Sequence, residues 1–135
     1  MNISVITVCK NSESTIERTI ESVLMQTYKS TEYIIVDGKS TDKTLPIINK
    51  YRDKISSVIS EKDSGIWQAI NKGIAIATGD IIICLNANDV FYKSNVIEKV
   101  EAEFTSSDAD LIYGDLIILD PKTGKTNYKK TSYVD

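Results

Sequence analysis

The 135-residue sequence contains no histidine, and this absence removes several common catalytic arrangements. Without histidine there is no Ser-His-Asp triad, no Cys-His pair and no zinc site built on imidazole ligands. Any general base or metal ligand must instead be a carboxylate, an amide, a hydroxyl, a lysine or a thiol.

Cysteine is also scarce, with Cys9 and Cys84 as its two instances. Each lies in an apolar stretch typical of a strand, so both thiols are expected to be buried. Two buried thiols without further cysteines predict a reduced, intracellular protein rather than a disulfide scaffold.

Long apolar runs are missing as well. No run approaches the ~20 residues that cross a bilayer, and residues 1–4 lack the basic and apolar regions of a secretory signal. Hydrophobic residues make up 41% and charged residues 26%, which excludes disorder, collagen and a long coiled coil. A net charge of −3 gives no reason to expect nucleic-acid binding. The length suits one core, so residues 1–135 are expected to form one domain.

Strand and helix patterns alternate along the chain. Apolar, β-branched runs predict buried strands, and stripes at helical spacing follow them. Ser14 and Glu17 have the spacing of a capping box in front of the first helix. This alternation predicts an α/β fold with right-handed crossovers and a mostly parallel sheet covered by helices on both faces. The strands are expected at 3–9, 33–36, 58–60 and 81–85, followed by closing strands at 111–113 and 116–119 and a hairpin through 120–124 into 126–128.

Polar clusters follow the predicted strands, at residues 7–11, 37–42, 61–65 and 86–89. In parallel α/β sheets, ligands bind outside the carboxyl ends of the strands. Helix N-termini favour anions such as phosphate. The oxygens of Asn86, Asn88 and Asp89 suit Mg²⁺ or Mn²⁺, with a bound diphosphate completing the shell. Together the clusters predict binding of a nucleotide diphosphate through a metal.

Each cluster also has a purely structural interpretation. The segment 37–42 is compatible with a simple turn and N-cap, and 86–89 with an ordinary loop. Trp67, Ile70 and Ile74 favour a core stripe over a ligand platform. Gly73 in mid-helix costs ~1 kcal/mol relative to alanine, which indicates close packing or backbone approach there.

The order of these motifs resembles that of a family 2 glycosyltransferase, from residue 3 to about residue 115. The resemblance is closest to bacterial members that build capsule, exopolysaccharide or lipopolysaccharide. It implies the nucleotide-binding GT-A fold and inverting transfer of a sugar from a nucleotide diphosphate donor to a glycan or lipid-linked acceptor. The motifs are residues 3–11, 22–28 (SVLMQTY), 35–42 (IVDGKSTD), 61–73 (EKDSGIWQAINKG), 77–80 (ATGD) and 85–89 (LNAND).

The resemblance also implies roles for individual residues, which divide into nucleotide contacts, donor-site contacts and metal ligands. Thr7 and Cys9 would flank the nucleotide. Asp37 would accept a hydrogen bond from the base, and Asp63 would lie by the base or ribose. The donor site would extend along Asn71 and Lys72, and the metal would be held at Asn86, Asn88 and Asp89.

The sequence departs from the family pattern in two respects. Asn86 and Asn88 stand where carboxylates are expected, so Asp89 is the one carboxylate and metal affinity should depend more on the bound donor. The general base for inverting transfer lies in a later family motif, beyond the last strands of this sequence. Asp115 is the nearest candidate here, although the family pattern favours placing it in the acceptor-side wall. The resemblance therefore predicts that the chain is an N-terminal, donor-binding portion, truncated before the acceptor half.

Other function classes remain as alternatives. A non-catalytic nucleotide-sugar-binding module that needs a partner or a C-terminal part fits the same motifs. A phosphoacceptor signalling domain is disfavoured, because residues 7–10 (TVCK) stand where an acidic pair is needed. No P-loop run occurs. The product class implies a cytoplasmic location, at the inner face of the membrane.

Overall fold

The computed structural model of the chain describes residues 1–130. The chain divides into two compact units, Met1–Glu101 and a second that begins at Ala102. The last five residues of the predicted domain, 131–135, lie outside the described residues.

The first unit alternates strands and helices in the predicted order. A short 3-10 turn, Arg52–Lys54, follows the second helix. The last helix, α4, begins in this unit. The elements are β1 (Ile3–Cys9), α1 (Ile16–Leu24), β2 (Thr31–Asp37), α2 (Thr44–Lys50), β3 (Ser57–Ser60), α3 (Ile66–Ile76), β4 (Ile81–Cys84) and α4 (Val96–Ser106).

The four strands of this unit form one parallel sheet in the order β3-β2-β1-β4. From β1 the chain steps outward to β2 and β3, then returns across the sheet to β4 on the other side of β1. Right-handed crossovers in these opposite directions place their helices on opposite faces. The contacts agree, because α1 packs on α2 while α3 packs on β1 and β2. The predicted doubly covered parallel sheet is confirmed.

A buried core joins the sheet to α3. Its members are Ile6, Val8, Ile34, Val36 and Ala69. Gly73 lies one helical turn after Ala69 and faces the same strand. A Cβ at this glycine would stand 2.5 Å from Cγ2 of Ile6, which is inside van der Waals contact. The glycine therefore permits the close approach of α3 to β1 that its mid-helix position predicted.

The expected core stripe of α3 is wrong for two of its three residues. Trp67 is 77% exposed and Ile74 is 43% exposed. Ala69 and Gly73, four residues apart, define the inward face of the helix, and Ile70 packs beside them. Positions 67 and 74 then fall on the outward face.

Two further expectations need correction. Cys84 is exposed rather than buried, because α3 lies over β1 and β2 and does not cover this face of β4. The capping box at Ser14 and Glu17 does not form, since Thr15 is the N-cap of α1 and makes no side-chain cap bond. The carboxylate of Glu17 instead accepts a hydrogen bond of 3.1 Å from the hydroxyl of Tyr51.

The second unit carries an antiparallel hairpin of β5 (Leu116–Leu119) and β6 (Thr126–Lys129). The amide of Gly124 closes its turn by donating to the carbonyl of Asp120 at 2.8 Å. The predicted hairpin is confirmed. The strand predicted at residues 111–113 is wrong, because these residues pair with no strand in the described chain. Every helix between residues 1 and 130 is too short or too polar to cross a membrane.

Candidate functional site

A cavity of about 490 Å³ opens at the carboxyl ends of the parallel strands. Three segments of the first unit line it: the end of β1 with the following loop, the start of α3, and the loop after β4. Three of the four predicted polar clusters therefore meet at this cavity. The lining residues are Val8, Cys9, Lys10, Ser12, Asp63, Ser64, Gly65, Ile66, Ala69, Asn86, Ala87 and Asn88.

Cys9 lies at the last position of β1, beside Asp37 of β2 in the strand register. Its Sγ donates to Oδ1 of Asp37 over 3.7 Å. Burial, and after it the negative charge of Asp37, raise the pKa of the Cys9 thiol well above its ordinary value. The thiol therefore stays protonated at neutral pH and acts as a weak donor, not as a nucleophile.

Asp37 is fully buried and does not line the cavity. Besides the thiol, its carboxylate accepts the amide of Ser40 at 3.0 Å and the hydroxyl of Ser60 at 2.7 Å. The hydroxyl of Ser40 makes a further, short hydrogen bond to Oδ1. These four neutral donors match the lone-pair sites of a carboxylate. Asp37 thus joins the ends of β1 and β3 to the loop after β2.

Asp63 lies in the loop before α3 and is partly exposed to the cavity. Its Oδ1 accepts the amide of Gly65 at 3.0 Å. On the other side, a Cβ at Gly38 would stand 2.7 Å from Oδ2 of Asp63. The absence of a side chain at Gly38 therefore leaves room for the carboxylate at the edge of the cavity.

Lys72, a residue of α3, contacts the loop of residues 61–65 that precedes this helix. Its Nζ lies 2.9 Å from Oε1 of Glu61 and donates to the carbonyl of Lys62 at 3.0 Å. Neither Lys72 nor the exposed Asn71 lines the cavity. Of the two predicted donor-site residues, Lys72 therefore contacts the loop and has its ammonium paired with Glu61.

The loop after β4 continues the sheet for three residues. The amides of Leu85 and Ala87 donate to the carbonyls of Ile6 and Val8 at 2.9 and 3.2 Å. Because Ala87 is buried, Asn86 and Asn88 on either side of it are exposed and line the cavity. The amide of Asp89 then closes a turn on the carbonyl of Asn86 at 2.9 Å.

This loop supplies a partial ligand set for a hard cation. Within residues 1–130, no group of three or more Cys, Asp and Glu side chains is placed to hold a metal. The side chains of Asn86, Asn88 and Asp89 also make no hydrogen bond within that range. Two neutral amides and one carboxylate fit Mg²⁺ or Mn²⁺ when a diphosphate supplies further oxygens and charge. These three side chains therefore fit a metal ion that binds together with a nucleoside diphosphate.

Thr7 and Asp115, also predicted as site residues, are each hydrogen-bonded to a tyrosine. Thr7 is fully buried, and its hydroxyl shares a 3.1 Å hydrogen bond with that of Tyr33. Burial raises the pKa of Tyr33, so this pair is neutral and structural in character. Asp115 belongs to the second unit, where the hydroxyl of Tyr128 donates to its carboxylate.

Sequence reasoning did not single out several lining residues. Lys10 falls inside the polar cluster 7–11, and Ser12 lies one residue beyond it. Ile66 and Ala69 belong to the first turn of α3, where their apolar character indicated only packing. The feature that could have identified them from the sequence is their position next to a polar loop.

Comparison with known proteins identifies the family. The model of "Glycosyl transferase family 2" matches residues 4–133. The Escherichia coli enzyme WfaP, a UDP-Glc:α-D-GlcNAc-diphosphoundecaprenol β-1,3-glucosyltransferase, is 36% identical over 99 residues, covering 73% of this chain and 39% of WfaP.

Solved structures share the fold. Staphylococcus aureus TarS in complex with UDP superposes with a TM-score of 0.74 and 28% identity, covering 82% of this chain and 34% of TarS. Mycobacterium tuberculosis glucosyl-3-phosphoglycerate synthase, crystallised with Mn²⁺ and UDP, gives a TM-score of 0.57 and 26% identity, covering 66% and 35% of the two chains. The sheet is thus the GT-A type that the sequence predicted, and the solved relatives bind nucleotides, one with a divalent metal.

The chain spans less than half the length of the curated relatives it matches, for example 46% and 38%. The family model, in contrast, covers nearly all of the chain. This chain therefore belongs to glycosyl transferase family 2.

Proposed function

We propose that this chain is the donor-binding portion of an inverting glycosyltransferase. In this proposal the sugar moves from a nucleotide diphosphate to a glycan or lipid-linked acceptor in bacterial surface polysaccharide synthesis. The observation that supports it is the cavity at the carboxyl ends of the strands, where Asp63 and the Asn86–Asn88 loop meet. Parallel α/β sheets bind nucleotides at this edge.

The charges around the cavity suit a nucleoside diphosphate. Lys10 and the first residues of α3 line one part of it, and a helix N-terminus carries partial positive charge. Asp63 provides an acceptor for the hydroxyls of ribose or the N–H groups of a base. Cys9 flanks the same nucleotide.

The remaining predicted donor residues act from behind the cavity. Thr7 joins the interior of β1 to Tyr33 of β2. Asp37 is bonded to Cys9 and to two serines, so an incoming base would have to displace a serine or the thiol to reach it. Lys72 keeps the loop 61–65 against α3, and Asn71 lies beside it.

The metal of this proposal is Mg²⁺ or Mn²⁺, and a solved relative with Mn²⁺ and UDP supports that class. Asn86, Asn88 and Asp89 would hold it. Bound there, the cation supplies Lewis-acid stabilisation of the negative charge that develops on the leaving diphosphate. The loop itself orients these oxygens through its backbone bonds to β1.

The proposed acceptor side consists of a general base and a lipid-linked sugar. Inverting transfer needs a carboxylate to take the proton of the attacking hydroxyl, and Asp115 is the candidate within this chain. The lipid-diphosphate-linked sugar in the name of WfaP supports an acceptor of that kind. Such acceptors would place the protein at the cytoplasmic face of the membrane, by peripheral association.

The second candidate function is a nucleotide-sugar-binding module without catalysis of its own. The position of every cavity-lining residue within the first unit, Met1–Glu101, favours it. In that case donor binding would be complete in this chain, and transfer would require a C-terminal part.

Calorimetric titration of the chain with UDP, GDP, ADP and TDP, each with and without Mn²⁺, tests donor binding. We expect one nucleotide to bind, and Asp63→Asn to weaken its binding about tenfold, because the charged acceptor becomes a neutral amide and its hydrogen bond to the nucleotide weakens. Asp53→Asn is the matched control, because Asp53 is exposed in the 3-10 turn and does not line the cavity. If no nucleotide binds under any condition, the donor site does not exist.

A turnover assay separates the two candidate functions. The chain and a version extended through the downstream coding sequence are compared for release of nucleoside diphosphate from the donor that binds. Release by the chain alone supports the enzyme, whereas binding without release, recovered by the extension, supports the module.

A further inference from the structure

The proposed metal loop belongs to a segment, residues 85–95, that joins β4 to α4 without helix or strand. Its first part is held by the backbone bonds from Leu85 and Ala87 to β1. Those bonds end before Asp89. The rest of the segment is held from the α1 region, by Thr27 at Ser94 and by three buried side chains between Asp89 and Lys93.

The three side chains are Thr19 and Ser22 of α1 and Gln26, just past its end. Thr19 Oγ1 donates to the carbonyl of Asp89 at 2.9 Å. Ser22 Oγ accepts the amide of Phe91 at 3.3 Å. At 2.8 Å, Gln26 Nε2 donates to the carbonyl of Lys93.

These residues form one polar stripe on the buried side of the helix. Their spacing of three and four positions places them on one face. Thr19 is 0%, Ser22 7% and Gln26 5% exposed. The side-chain carbonyl of Gln26 also accepts the amide of Ile97, at 3.1 Å, which fixes the start of α4 as well.

Buried polar groups cost free energy unless they are hydrogen-bonded. The side chains of Ser22 and Gln26 also donate to backbone carbonyls of α1, at 2.8 and 3.1 Å. The fully buried Thr19 hydroxyl donates to the Asp89 carbonyl, so it depends most on the segment being in place. All the partners contributed by the segment are backbone groups, which fixes its path without using its side chains. Asn88 and Asp89 consequently stay exposed while the backbone beneath them is held.

We propose that Thr19, Ser22 and Gln26 are positioning residues that hold the Asn86–Asp89 loop in the conformation that receives a metal-bound diphosphate. The inference rests on the proposed donor site. One carboxylate and two neutral amides bind a cation weakly, so affinity depends on the loop being ordered before the ligand arrives.

Thr19→Val tests this inference, because it keeps the shape of the side chain and removes the donor to Asp89. Thr19→Ser keeps the hydroxyl and serves as the rescue. The matched control is Thr31→Val, which removes a hydroxyl that donates to the carbonyl of Tyr28 at 3.2 Å, at the other end of the sheet. For each variant we measure UDP affinity with and without Mn²⁺, and hydrogen exchange of the amides of residues 86–97.

We expect Thr19→Val to reduce the Mn²⁺-dependent gain in UDP affinity about fivefold, since about one hydrogen bond is lost. UDP affinity without Mn²⁺ should stay unchanged, and exchange at Phe91 should accelerate several-fold. Thr19→Ser and Thr31→Val should match the wild type in both readouts. Should Thr19→Val fail to fold, Ser22→Ala takes its place and is expected to accelerate the same amide.

The outcomes separate the two proposals. If the wild type binds UDP with an Mn²⁺-dependent gain and Thr19→Val retains that gain and the slow exchange, the positioning role is refuted while the donor site stands. An equal loss with and without Mn²⁺ also refutes it, because a general structural defect explains that pattern. If the wild type binds no UDP, the donor site with this nucleotide is refuted together with the inference.

Discussion

Replacing Gly73 with alanine should have two opposite effects on stability: overlap with Ile6 and a gain in helix propensity. The structure allows us to compare their magnitudes. The new Cβ would stand 2.5 Å from Cγ2, 3.3 Å from Cδ1 and 3.4 Å from Cγ1 of Ile6. Carbon atoms prefer separations of about 3.5–4.0 Å, so the nearest contact must open by about 1 Å. Ile6 is 1% exposed in a strand paired on both sides, which leaves it little space to retreat.

Overpacking of this kind costs about 1–3 kcal/mol, whereas alanine is about 1 kcal/mol better than glycine inside a helix. We therefore expect Gly73→Ala to lower the free energy of unfolding by up to about 2 kcal/mol. Urea denaturation followed by circular dichroism measures the change. Ala75→Gly, at an exposed position of the same helix, measures the propensity term alone.

The same substitution made in an Ile6→Ala variant provides a second test. Ile6→Ala removes the methyl groups that the new Cβ would meet and leaves a cavity. Adding Gly73→Ala to that variant should raise its stability, which reverses the sign seen in the wild type. If Gly73→Ala instead stabilises the wild type by about as much as Ala75→Gly destabilises it, the close approach of α3 to β1 does not constrain this position.

Three further predictions concern the metal loop, the thiols and a tyrosine. Asn88→Asp adds a second carboxylate to the loop and should strengthen Mn²⁺ binding in the presence of UDP by about tenfold. Asn49→Asp on the exposed end of α2 should not, and equal titration curves for both variants would contradict the ligand assignment. Iodoacetamide at pH 8 should alkylate the exposed Cys84 in the native protein and Cys9 only after unfolding, as read by mass spectrometry, because burial and Asp37 raise the pKa of Cys9. Native labelling of Cys9 would refute its burial. Partial burial and then its hydrogen bonds to Glu17 and Glu21 raise the pKa of Tyr51 to about 12, above its ordinary value of 10.0. The folded state thus binds the hydroxyl proton of Tyr51 more tightly than the unfolded state does. The tyrosine therefore stabilises the fold below pH 10, and this stabilisation is lost towards pH 12. The difference in stability between the wild type and Tyr51→Phe should shrink over that range, and a constant difference would argue against the two hydrogen bonds.

The strands and their order were predictable because their signal is local. Runs such as residues 3–9 and 33–36 are rich in apolar and β-branched residues, which is typical of strands buried on both faces. The polar cluster after each strand follows from the same reasoning, since parallel strands end at one edge of the sheet. This placed Asp63, Asn86 and Asn88 at the cavity.

The errors share a physical cause, which is dependence on distant neighbours. Cys84 was expected to be buried from its own run, but its burial depends on whether a helix covers that face of β4. Trp67 was placed in the core by helical spacing, while Gly73, which carries no apolar side chain, sets the inward face. Glu17 has the capping-box spacing, yet its carboxylate bonds to Tyr51, a partner 34 residues away.

The polar stripe of α1 was not predicted from the sequence, because it too depends on distant neighbours. Thr19, Ser22 and Gln26 occupy buried positions among apolar neighbours, and their partners lie about 70 residues further along the chain. The pattern that could have revealed them is a set of hydrogen-bonding side chains at helical spacing within an otherwise apolar face.

The central place of β1 in the sheet has a consequence for synthesis on the ribosome. β1, β2 and β3 are complete early, but the other edge of β1 pairs with β4, whose first residue is Ile81. Until that segment emerges, the nascent chain presents the open edge of a mostly apolar strand, which is a template for aggregation. The last strand of this sheet to be synthesised is therefore the one that closes the edge of the first, and chaperone demand should peak just before it appears.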